Sequence, residues 1–142
     1  MRYARALFWF RRDLRCHDNA GLYEALRQSA AVHCVFVFDR AILEKLSHRK
    51  DRRVEFIWRS VSDLQRDLRA LGGELQVLHG AAQDLIPQLA LQLRADAVFA
   101  NYDYEPAAIV RDDRVQAALG ASGVGFHAFK DQSVFDKSEI LT

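Results

Sequence analysis

The apolar positions of this chain alternate between two periods. Leu7-Phe8-Trp9-Phe10 is an unbroken apolar run with no helical continuation, which predicts a strand buried on both faces. Asp18 or Asn19 can N-cap a short helix through Leu22 and Leu26 to about Ser29. Ala31 to Phe38, β-branched and aromatic, predicts a second strand ending at Asp39. Beyond it, Val54, Ile57, Trp58, Val61, Leu64, Leu68 and Leu71 recur at three- and four-residue steps, predicting a helix that Gly72-Gly73 stops. Leu75 to Leu78 reads as a third, short strand. Asp84 is placed to cap a helix carrying Leu85, Ile86, Leu89 and Leu93, with Pro87 in its first turn. A fourth strand runs from Ala97 to about Tyr102, and Pro106 opens a helix that Gly120 and Gly123 end. Val124 to Phe129 alternates as a fifth strand.

Five strands separated by four long crossovers call for parallel pairing and right-handed connections. The expected fold is an α/β, doubly wound, Rossmann-like sheet of order 3-2-1-4-5 with helices on both faces, formed by residues 1–130. That order sets strands one and four side by side at the switch point, where open α/β sheets bind ligands beyond the carboxyl ends of their strands. Arg11 to Asn19 and Asn101 to Glu105 then border one crevice.

Composition narrows the class. At 142 residues, half of them apolar, the chain can bury the core of one ordinary domain. The net charge of +1 argues neither for a nucleic-acid coat nor for a membrane surface, but it is unevenly spread: residues 1–71 carry +6 and residues 72–142 carry −5. No apolar run is long enough to span a bilayer and no secretory signal is visible, so a cytoplasmic protein is expected. Cys16 and Cys34 read as reduced thiols, and the histidines show no metal-ligand spacing with them. No metal is expected.

The chemistry of the crevice is read partly by subtraction. No Gly-x-Gly-x-x-Gly turn follows the first strand, and no Gly-x-x-x-x-Gly-Lys-Ser/Thr loop occurs, so a backbone phosphate cradle is not expected. Asp103 and Glu105 are acceptors when ionised; they suit the N–H and O–H groups of a neutral heterocycle and would repel a pyrophosphate. Tyr102, Tyr104 and Trp9 offer ring surface. Equally, the two carboxylates can serve only to pair with Arg11, Arg12 or Arg15. The stretch 40–53, with Lys45, His48, Arg49, Lys50, Arg52 and Arg53, adds a basic connection beside the same edge. No nucleophile, base and orienting group stand together. The residues by themselves yield a ligand-binding α/β domain.

Trp9-Phe10-Arg11-Arg12-Asp13-Leu14-Arg15, with His17-Asp18-Asn19 following, resembles the opening signature of the DNA photolyase and cryptochrome family. Val37-Phe38-Asp39, Asn101-Tyr102-Asp103-Tyr104-Glu105 with Arg111-Asp112, and Phe129-Lys130-Asp131 with Val134-Phe135 agree in order and spacing. The resemblance spans the whole chain and corresponds to the family's N-terminal α/β domain, with 131–142 as the start of a linker to a C-terminal helical domain. It implies a light-driven lyase that splits cyclobutane pyrimidine dimers in damaged DNA by electron transfer from reduced FAD. Flavin and lesion belong to the helical domain, so no catalytic residue is assigned here. The α/β domain would hold an antenna chromophore and pass its excitation energy on.

Folate-binding members place an Asn-Glu pair where this chain has Ala107-Ala108, which argues against methenyltetrahydrofolate. Asp103-x-Glu105-Pro106 resembles members that bind a deazaflavin or a second flavin. The same resemblance sets Trp9, Arg11, Asp39 and Arg53 at the pocket; with Asn101, Asp103 and Glu105 they form the candidate cofactor-binding set. Two alternatives remain: a cryptochrome-type photoreceptor, and a universal-stress-type nucleotide-binding protein. The second would need a glycine-rich phosphate loop, for which Gly120 to Gly125 is weakly suited.

Overall fold

The computed structural model describes residues 2–11, 13–39 and 52–130, with 52–54 described for backbone only. Strand β1 (Tyr3–Phe10) lies at the centre of the sheet, as its apolar run demands. Ala6, Phe8 and Phe10 point into one core, Leu7 and Trp9 into the other. Both of its neighbours, β2 (Ser29–Asp39) and β4 (Ala97–Asn101), pair with it in parallel. With β3 (Leu75–Gly80) beyond β2 and β5 (Gly125–Phe129) beyond β4, the order is β3-β2-β1-β4-β5, as expected. The switch point therefore falls between β1 and β4.

Helices cover the two faces in pairs. α1 (Ala20–Gln28) and α2 (Arg52–Ala70) bury Leu22, Ala25, Val61, Leu64 and Leu68 on Phe8, Phe36 and Phe99. On the opposite face, α3 (Ala82–Gln92) and α4 (Pro106–Ala121) bury Ile86, Leu89, Val115 and Leu119 on Leu7, Val35 and Val98. Each large side chain removed from water this way contributes about 1.5–3 kcal/mol, so the central strands anchor the domain.

Local signals held for some boundaries and failed for others. Asn19 caps α1: its side-chain oxygen accepts the Leu22 N–H at 3.0 Å. Asp84 does not cap α3. The helix begins two residues earlier, at Ala82 behind Ala81, which has no capping side chain, so Asp84 lies inside the first turn. Pro87 is accordingly interior rather than in the first turn. Of the basic connection 40–53, residues 40–51 lie outside the described residues and Arg52 and Arg53 already belong to α2; the segment 131–142 also lies outside them.

Candidate functional site

β1 and β4 both end at the switch point, and the side chains that leave them tie the two ends together. Arg11, the residue after β1, is buried despite its charge. Its Nη1 donates to both carboxylate oxygens of Asp112 on α4 at 2.6 Å, and its Nη2 donates to the carbonyl of Asn101 at the end of β4. A charge this deep must be paired and hydrogen-bonded, and here it is.

Asn101 answers from the other strand. Its Nδ2 donates to the Asp13 carboxylate and, at 2.7 Å, to Asn19 Oδ1, while its Oδ1 accepts the Gly21 N–H at 2.7 Å. Gly21 leaves room for this: a Cβ there would stand 2.7 Å from that same oxygen and 2.9 Å from the Phe8 ring. Asp13 Oδ1 accepts the Arg11 N–H at 2.9 Å. Burial pushes the Asp13 carboxyl above its ordinary value, opposed by the bonds from the Arg11 amide and Asn101. One carboxylate, two amides and one guanidinium thus close the loop 13–19 over the ends of β1 and β4.

Trp9 forms a wall behind this network. Its ring is 1% exposed, and the guanidinium carbons of Arg11 and Arg111 each lie 4.8 Å from its centroid. The expectation that Trp9 offers a stacking face to a ligand is corrected: the indole is sealed in the core beneath two cations. The open ring surface is instead Tyr102 and Tyr104, both half exposed and stacked at 5.8 Å with planes 18° apart. Between them, Asp103 turns inward: its side chain is 11% exposed, Oδ2 lies 3.9 Å from Arg111 Nη2, and Oδ1 accepts the Glu105 N–H at 3.2 Å. Glu105 is exposed and precedes α4 without a side-chain capping bond.

Asp39 ends β2 on the far side of β1 from Asp103, half buried and in register with Gly80 of β3. The Arg53 side chain lies outside the described residues. Near Asp39, Phe38 stacks on His79 at 5.0 Å and packs against the half-exposed Trp58 at 4.5 Å. This aromatic group escaped the sequence reading, which treated Trp58 as part of a helical core stripe. Asp112 and Arg111 also bind the site together, and their adjacency in sequence gives no sign of it. A shallow cavity of about 260 Å³ lies at the opposite edge, where Arg5 bonds the Leu93 carbonyl and His33 bonds Gln76. Its polar groups are thus engaged by the protein. Among the described residues no three potential metal ligands cluster, and no helix is long and apolar enough to cross a membrane.

The family model for DNA photolyase matches residues 6–142. The chain belongs to the DNA photolyase family. A deoxyribodipyrimidine photolyase from Synechococcus is 40% identical over 136 residues, covering 96% of this chain and 28% of that protein. A cryptochrome DASH from Gloeobacter violaceus is 34% identical over 87% of this chain and 25% of its own length. Among solved structures, the archaeal photolyase from Sulfolobus tokodaii, which holds two FAD molecules, superposes with a TM-score of 0.82 at 32% identity, covering 93% of this chain and 32% of its own. The chain thus spans about a third or less of each of these three relatives. In this photolyase-family domain, the signature Trp9 to Asn19 and the segment Asn101 to Glu105 meet at the switch point, as the strand order requires.

Proposed function

We propose that this chain is the antenna domain of a deoxyribodipyrimidine photolyase and holds its antenna chromophore at the carboxyl edge of the sheet. The observation that carries the reading is Asp103 and Glu105 standing at the rim of a switch point already filled by Arg11, Asn101 and Asp13. A ligand is left the rim, and the rim offers carboxylate acceptors and two tyrosine rings. Such a surface fits a neutral tricycle with an N–H to donate, a flavin or deazaflavin, and repels a phosphate. Asp39 ends β2 at the same carboxyl edge, while Trp9, Arg11 and Asn101 support the rim from beneath. The second FAD of the Sulfolobus relative favours this class of pigment.

Methenyltetrahydrofolate fits less well. Ala108 is buried, so a glutamate there would have to take its carboxylate into the core, and Ala107 carries no amide. In the whole enzyme, a C-terminal helical domain following the linker at 131–142 would hold the catalytic FAD and the damaged DNA, in the cytoplasm. This chain gathers light for it. The exposed Ile109 and Val110 on α4 suit burial against such a domain. The cryptochrome relative supports a second reading, a photoreceptor with the same antenna edge. Visible-light repair of pyrimidine dimers separates the two.

The absorption spectrum of the purified protein tests the site. D103A/E105A is expected to lose the second pigment and keep the catalytic flavin; undiminished second pigment would place the site elsewhere.

A further inference from the structure

We infer that the outward face of the first turns of α2 is a contact surface for a single strand of nucleic acid, distinct from the rim at the switch point and from a lesion site in a C-terminal domain. The inference goes beyond the antenna reading and needs neither pigment nor light. Around a helix of about 3.6 residues per turn, Arg59 falls between Phe56 and Trp58. Phe56 is 71% exposed and Trp58 45%. A cation thus stands between two open rings.

Arg59 is exposed and makes no ion pair or hydrogen bond among the described residues. The acids further along the helix, Asp63 and Asp67, are engaged by Arg66. Trp58 is braced from within: the buried Phe38 packs against it at 4.5 Å, and the exposed His79 lies 6.0 Å away. Its orientation is therefore set before a partner arrives. The charge beside these rings is one-sided. Residues 45–59 hold six Lys and Arg, among them Arg52, Arg53 and Arg59, against Asp51 and Glu55. The helical positions of Arg52 and Arg53 lie one turn before Phe56. A polyanion complements that charge. The rings choose among polyanions: carboxylate side chains offer nothing to stack, whereas an unpaired base lies on an aromatic ring while its phosphate meets the neighbouring cation. Every base has such a face, so the surface holds a strand without reading its sequence.

The readout is the fluorescence anisotropy of a labelled oligothymidylate, undamaged and kept in the dark, titrated with purified protein. The wild type is expected to bind with an affinity that falls steeply with salt. F56A should weaken binding about fivefold through lost stacking. R59Q should lessen the slope of log affinity against log salt by about 0.7, the share of one phosphate contact on a single strand. R114Q, which removes the same charge from an exposed position on α4, should change neither. Phe56 and Arg59 are exposed, so both variants should melt with the wild type. Three results would each overturn the surface: a wild type that binds no strand, F56A and R59Q binding as the wild type does, or polyglutamate displacing the strand as readily as unlabelled oligothymidylate. None of them bears on the pigment site.

Discussion

Asn101 is an amide for reasons of charge and donor count. It must donate to Asp13 and Asn19 while accepting from Gly21, which a carboxylate cannot do. Asn101→Asp would set a second carboxylate against Asp13 in a buried site, and is expected to cost about 3 kcal/mol in urea unfolding at pH 7. Because burial raises the Asp13 carboxyl, that residue protonates early on acidification, and the loss should shrink as the pH approaches 4. The swap D13N/N101D restores one amide facing one carboxylate and should recover about half of the loss. Little of this was legible in the sequence. Asn101 and Asn19 were read as members of two clusters, but bonds spanning about eighty residues depend on strand order and rotamer together. Trp9 was misjudged for a related reason: its aromatic character marked it as ring surface, and only the packed structure shows two guanidinium groups covering it.

At the scale of elements the pattern was more informative. The apolar run of β1 marked a strand covered on both sheet faces, because only then can consecutive positions all be buried. The α2 stripe likewise gave Val61, Leu64 and Leu68 as core. The start of α3 was lost because Ala81 carries no capping oxygen, and the nearest capping residue by type, Asp84, drew the boundary inward. Pro87 consequently leaves the Gln83 carbonyl without its partner one turn on. Pro87→Ala restores that bond and is expected to stabilise the domain by about 1 kcal/mol, less than the full cost of an interior proline because the unfolded chain also gains freedom. Thermal or urea unfolding checks the sign; a lower midpoint would show that the helix is bent to suit the ring.

For the whole molecule, two of the described groups with shifted pKa values act on either side of neutral pH. Burial, with a smaller contribution from Arg2, lowers the His127 pKa below its ordinary 6.5, so its contribution is present above that value and is lost as pH falls through the lowered pKa. Burial, aided by Cys16, pushes the Cys34 thiol from 9.0 up to about 11. Its contribution is complete below about 9 and is lost as pH rises through about 11. Urea midpoints measured from pH 5 to 11 should therefore form a plateau between about 6.5 and about 9; Cys34→Val should extend its alkaline side, and an unaltered alkaline fall would assign it elsewhere. The sheet order at this scale followed from counting strands and crossovers, since parallel pairing and right-handed connections leave few arrangements.

The buried arginine between β1 and β4 completes its bonding with the protein's own carbonyl and carboxylate. The frame at the switch point therefore needs no ligand to complete its bonding. On the antenna reading proposed above, a pigment could be exchanged for another, or lost, through changes confined to the rim while the frame beneath keeps its shape.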